Sequence, residues 1–149
     1  MKKDVIVTVS GLLYVGKGED EQDYIDVITP GRYYEKNDRY YIVYDEVMEG
    51  LEEPVHNLMS IAPDRVMLKK SGMIATQMEF CPKQHTDTYY STPFGRIDMD
   101  IYTQRIRIQE SEDEINVDIR YHLGLGSQKK EHCFVKVKVQ PQGTEEMSF

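Results

Sequence analysis

Cysteine occurs only twice in this chain, at Cys81 and Cys133, and tryptophan does not occur at all. Two thiols cannot make a disulfide scaffold, and they read as reduced, buried residues. Without tryptophan, the aromatic packing must come from the eleven tyrosines and four phenylalanines. No apolar run approaches the roughly 18 residues that a membrane-spanning helix requires. The start "MKKDVIVTVSG" lacks the apolar stretch and small-residue cleavage site of a signal peptide. The predicted address is therefore cytoplasmic. Basic residues are also in deficit, with 18 Lys and Arg against 26 Asp and Glu and a net charge of −8. That balance argues against nucleic acid and anionic membrane as partners, because both need clustered cations. The acidic excess reads as a solubilising surface.

A sustained helical period is missing too, and alternation at period two replaces it almost throughout. Turn signals divide the alternating runs. "DVIVTVSGLLY" predicts a first strand, and a Pro30–Gly31 interruption precedes two Tyr-rich arms around Asn37–Asp38. "VHNLMSIAPDRVMLKKSGMIATQMEF" predicts three short strands separated at Pro63–Asp64 and Ser71–Gly72. In the clearest strand, Ile115, Val117, Ile119, Tyr121 and Leu123 share one face. About eight to ten antiparallel strands in meander order follow from this pattern. A chain of 149 residues is long enough to bury its own core without disulfides or metal. The predicted fold is all-β, an up-and-down barrel whose closure removes both sheet edges, with a two-sheet sandwich as the alternative. A single barrel domain is expected over 1–140, followed by a flexible tail over 141–149.

The opening "VIVTVSG", the Tyr-rich second hairpin and "YYSTPFGRIDMDIYTQ" together resemble the YwiB-like family of uncharacterised bacterial proteins. The resemblance covers nearly the whole chain and implies a small closed barrel of the calycin-like kind, the architecture of lipocalins and fatty-acid-binding proteins. It implies no activity. The Gly-x-Trp signature of true lipocalins is absent, so their ligand classes do not carry over.

The stretch His85–Tyr102 contains a turn at Thr92-Pro93-Phe94-Gly95, and the arm before it is polar on both faces. Pro93 cannot adopt the positive φ preferred at the first position of a two-residue hairpin loop. A three-residue loop with Gly95 as a bulge suits both residues. It pairs Thr92 with Arg96 and avoids placing Asp87 opposite Asp100, an unfavourable like-charge pair. In that register Tyr89, Asp87 and His85 turn inward with Ile97, Met99 and Ile101. Arg105 and Arg107 point inward as well, unless a bulge near Thr103 flips the strand, as Ile106 and Ile108 suggest. Such groups form an internal hydrogen-bonded network or line a polar pocket. The candidate ligand site is thus Arg105 and Arg107 for an anionic group, Tyr89 and Asp87 as hydrogen-bond partners, and His85 at the rim.

Other constellations carry less. His56, His85, His122 and His132 have no close zinc-ligand spacing, and His132 and Cys133 face opposite sides of a strand, so no metal site is expected. Asp98 and Asp100 share a face but lack any EF-hand pattern. "GLGSQKK" reads as a turn rather than a phosphate loop, since no helix follows it. Neither Ser10-Gly11 nor Ser71-Gly72 has the setting of a nucleophilic serine. The cysteines have no activating neighbour in sequence. The expected function is non-enzymatic: a barrel that holds a small amphipathic or anionic ligand in its lumen, with no cofactor. The alternative is a protein–protein interaction module using a sheet face or the acidic Asp45–Glu53 loop. An enzyme ranks third, with His85–Asp87 as the sole general-base candidate.

Overall fold

The computed structural model describes residues 3–11, 25–125 and 131–143, without the side chains of residues 25 and 26. Ten strands follow one another: β1 (Asp4–Ser10), β2 (Ile25–Lys36), β3 (Arg39–Glu46), β4 (Val55–Ala62), β5 (Arg65–Ser71), β6 (Ala75–Phe80), β7 (His85–Thr92), β8 (Gly95–Ser111), β9 (Glu114–Leu125) and β10 (Glu131–Pro141). Each pairs antiparallel with its sequence neighbour, and β1 also pairs with β10, so the sheet closes into a barrel. Closure satisfies the backbone groups that would otherwise lie on two free edges.

The alternating pattern fills the barrel from within. Val5, Val7 and Val9 on β1 meet Val135, Val137 and Val139 on β10, and the β9 face Ile115 to Leu123 is buried as its alternation predicts. Phe80 and Tyr121 pack edge to face, with ring centroids 5.1 Å apart. Gly31 lies where a Cβ would come within 2.8 Å of the Val43 carbonyl oxygen and 2.9 Å of a Val7 methyl, so only glycine allows that approach.

Pro30–Gly31 does not interrupt the chain as expected. β2 runs straight through it. The pairing with β3 begins at Gly31, so Pro30 has a partner strand on one side and its missing N–H leaves no ladder bond unmade there. The barrel also extends past residue 140. Pro141 pairs with Val5, and Gln142 donates its backbone N–H to the Asp4 carbonyl and its side-chain amide to that of Val5. Residues 144–149, residues 126–130 of "GLGSQKK" and the Leu-Leu-Tyr extension of the first run lie outside the described residues.

The β7–β8 hairpin takes the register that the turn chemistry disfavoured. Thr92 pairs with Gly95 and Asp87 with Asp100, leaving a two-residue loop of Pro93 and Phe94. Three local features accommodate it. Gly95 adopts φ +141°, the Thr92 hydroxyl accepts the Phe94 N–H, and the same hydroxyl donates to the Gly95 carbonyl. The deciding contact is tertiary. β6 and β7 share paired positions only at Ala75–Ser91 and Thr76–Tyr90. Beyond them, threonine hydroxyls replace the ladder. Thr86 donates to the Glu79 carbonyl at 2.6 Å, Thr88 donates to that of Gln77, and Thr76 donates to that of Tyr89. This seam requires Thr86 and Thr88 on the same inward face as Ile101 and Met99, with which they pair, and that sends Asp87 and Tyr89 outward.

Candidate ligand-binding mouth

None of the five residues expected to line the lumen faces it. His85 and Asp87 are exposed, and Tyr89 lies on the outer wall with the Arg96 guanidinium over its ring at 4.5 Å. Arg96 also donates to Asp98 at 3.1 Å, and His85 Nδ1 lies 3.4 Å from Asp100 Oδ1. The Asp87–Asp100 juxtaposition is tolerated because both groups reach water and Asp100 has the imidazole beside it. Arg105 and Arg107 are exposed because β8 bulges between Thr103 and Arg105. Before the bulge, Met99, Ile101 and Thr103 face in; after it, Ile106, Ile108 and Glu110 do. The five residues do not converge. Asp87 and Tyr89 line one shallow outer hollow, while Arg107 lies over another with Lys136, Lys138 and Asp118.

The same bulge builds a different site. It carries Glu110, expected on no particular face, to the mouth of the barrel bounded by the Asn37–Asp38, Pro63–Asp64 and Glu112–Asp113 turns. Asn37 and Asp38 both take positive φ, 53° and 63°, and this tight two-residue turn brings the Tyr-rich arms back together. Tyr40 consequently projects inward beside Tyr33, with ring centroids 5.6 Å apart, and donates its hydroxyl to Glu110 Oε2 at 2.6 Å. The hydrogen bond to Glu110 raises the Tyr40 pKa well above its ordinary value, with burial and the nearby carboxylates adding to it. Tyr33 is raised chiefly by burial, with Glu35 and Glu110 contributing. Both phenols therefore stay neutral near pH 7.

A cavity of 480 Å³ opens here. Ile61, Ala62, Pro63 and Ile108 supply an apolar wall, and Glu35, Asp38, Tyr40 and Glu110 a polar rim. Carboxylates beside aromatic faces suit a cation: the acids supply charge and hydrogen-bond acceptors, the rings a negative π-face. Sequence reasoning missed this site because the facing of Glu110 depends on the bulge between Thr103 and Arg105, far along the chain from Tyr40 and Ile61; Tyr40 and Glu110 themselves are 70 positions apart. The available signal is the Tyr-rich pair of arms around Asn37–Asp38, whose rings can line a mouth as well as pack a sheet.

The opposite end holds a second polar group. Lys70 Nζ donates to Glu46 Oε1 at 2.7 Å and to Asn57 Oδ1 at 2.9 Å, and the Asn57 amide donates to the Val55 carbonyl at 3.2 Å. The Lys70 side chain is 5% exposed and that of Glu46 12%. Thus the acidic run Asp45–Glu53 is not wholly a solvated loop. Asp45 and Glu46 end β3, with Asp45 bonded to His56 on the outside and Glu46 turned in to Lys70. Cys133 is buried and its thiol pushed up to about 11, by burial first and Glu131 second, which keeps it unreactive. Cys81 is buried as well, and it accepts the Arg65 Nε–H at 3.3 Å, a neighbour that sequence spacing did not reveal.

The model of a domain of unknown function, DUF1934, matches residues 14–137, and the chain belongs to this family. A curated relative, the uncharacterised β-barrel protein YwiB of Bacillus subtilis (strain 168), is 23% identical over 130 residues, covering 87% of this chain and 89% of the relative. The crystal structure of the B. subtilis ywiB protein superposes with a TM-score of 0.73 at 19% identity, covering 95% of this chain and 94% of that one. The barrel expected from the resemblance is therefore the observed fold, and the family carries no assigned activity with it.

Proposed function

We propose that this member of the DUF1934 family is a non-enzymatic binding protein that takes a small amphipathic molecule at the Tyr40–Glu110 mouth. The supporting observation is the Tyr40–Glu110 hydrogen bond at the rim of a 480 Å³ cavity with an apolar wall. Glu35, Asp38 and Glu110 favour an amine or other organic cation, in place of the anionic ligand that inward arginines would have selected. The ligand's apolar body would lie against Ile61, Pro63 and Ile108. Free, buried Cys81 and Cys133 suit a reducing compartment, and we place the protein in the cytoplasm. Among the described residues no helix is long and apolar enough to cross a membrane.

Native mass spectrometry of the protein purified from its own cells tests the proposal. A retained small amine is expected, with affinity about tenfold weaker in Glu110→Gln. A ligand bound equally well by Glu110→Gln, or the absence of any ligand in both the native isolate and an amine library, would remove the mouth from consideration. A second reading, an interaction module, is favoured by the exposed Arg107 on β8, which shares an outer hollow with Lys136 and Lys138 on β10 and so suits an acidic partner. Loss of a salt-sensitive partner in Arg107→Glu, with amine binding absent, would favour it.

A further inference from the structure

On the outer wall, away from the mouth, the register aligns three histidines and a tyrosine across four strands. His85 pairs with Tyr102, Tyr102 with His122, and His122 with His132. The ring centroids are 4.8, 6.0 and 4.3 Å apart along this row. His122 and His132 are the closest pair and lie directly opposite each other on β9 and β10. His132 is exposed and His122 half-buried, so the outer imidazole is open to solvent.

We propose that His122 and His132 form a two-imidazole site for a borderline divalent transition ion. Imidazole nitrogens bind zinc at about 2.0–2.1 Å, so two ligating nitrogens must approach within roughly 3–3.5 Å of each other. Directly opposite cross-strand residues have Cβ atoms about 4.5–5.5 Å apart, close enough for two imidazoles to share one ion once both rings turn, which for His122 means bringing out an Nε2 that is buried in the folded chain. The rings now stand edge to face at 89°. Metal capture would turn them so that one nitrogen of each points to a shared centre. The closed barrel fixes both backbones, so little conformational entropy remains to be lost. Two nitrogen ligands with the remaining positions open to water select Cu(II) over Ni(II) and Zn(II) by the general order of stability, and exclude Mg(II) and Ca(II), which need oxygen. No third His, Cys, Asp or Glu completes the set among the described residues, so this is an open, exchangeable site rather than a structural one.

Titration of the full, untagged chain with CuCl2 and with ZnCl2 by calorimetry, and Cu(II) paramagnetic resonance, test this. One strong equivalent of Cu(II) is expected, with the signature of two nitrogen ligands and weaker Zn(II) binding. His132→Gln, at an exposed position that the fold tolerates, should weaken binding by about tenfold or more, and His122→Gln likewise. His85→Gln and His56→Gln should leave it unchanged. His56 is the control that matters, because its contact with Asp45 at 2.6 Å makes another surface ligand pair. Absence of binding at millimolar metal, unchanged affinity in His132→Gln, or loss in His56→Gln instead would overturn the proposal.

Discussion

At one end of the barrel Glu46 is closed off by Lys70 and Asn57, while at the other Glu110 meets a tyrosine hydroxyl and opens onto a cavity. The two carboxylates occupy equivalent inward positions near strand ends, yet their surroundings assign them different work. Glu46 shares a buried site with an opposite charge, so its role is to keep Lys70 satisfied in a low dielectric. Glu110 retains acceptor capacity toward open space, where an incoming cation can use it. An inward acid is therefore a binding candidate only where the fold has not already supplied its counter-charge.

The comparison can be broken hardest at Lys70. Lys70→Met should strand Glu46 as an unpaired buried charge and cost about 3–5 kcal/mol, read by urea denaturation. Glu46→Gln combined with Lys70→Met should recover most of that loss. If the single variant is as stable as the parent, Glu46 reaches water and the two ends are not different in kind. A smaller effect is expected where the barrel wall is sewn by side chains. Thr86→Val with Thr88→Val should cost about 1–2 kcal/mol per hydroxyl, and amide exchange should quicken along β6 and β7 ahead of the other strands. Uniform exchange would show that this seam is no weaker than its neighbours.

The smallest effect is alkaline. Cys133 is raised from 9.0 to about 11 in the folded chain, so the unfolded chain loses its proton first as pH rises. Stability from this group is complete below about pH 9 and declines between pH 9 and 11, because the unfolded state then binds fewer protons. Tyr40 extends the same trend to higher pH, its unfolded value being 10.0 and its folded value higher. Cys133→Ala should flatten the first part of that decline, and Tyr40→Phe the later part. An unchanged profile in Cys133→Ala would assign the fall to other groups.

Much of the architecture is legible in particular residues. The strict alternation Ile115-Val117-Ile119-Tyr121-Leu123 can bury one face only as a strand, and a meander of about eight to ten strands joined by short turns favours a closed sheet. The hairpin register was not legible, because Pro93 and the Asp87–Asp100 pairing both argued locally for the wrong one. The error then propagated, since a one-residue slip exchanges the faces of a whole arm. In the register with Gly95 as a bulge, Tyr89, Asp87 and His85 face inward, whereas in the folded chain it is Tyr90 that packs against the core. The flip near Thr103 was suggested by Ile106 and Ile108, and it did place Arg105 and Arg107 outside. The same flip turns Glu110 inward, but Glu110 lies beyond the last apolar residue of β8, so no alternation marks its facing.

By itself, then, the sequence determined the class of structure: apolar alternation and turn residues require an antiparallel all-β fold, with barrel closure expected ahead of a two-sheet sandwich. The tertiary structure decided which polar groups face in, because register and bulges are settled by contacts between strands. The Thr86 and Thr88 hydroxyls seal β7 to β6, and the unpaired Gln104 shifts β8 by one residue. Those two choices cost little locally, yet each reverses the facing of every side chain beyond it. That is why the mouth at Tyr40 and Glu110 and the histidine row at His122 and His132 emerge only in three dimensions.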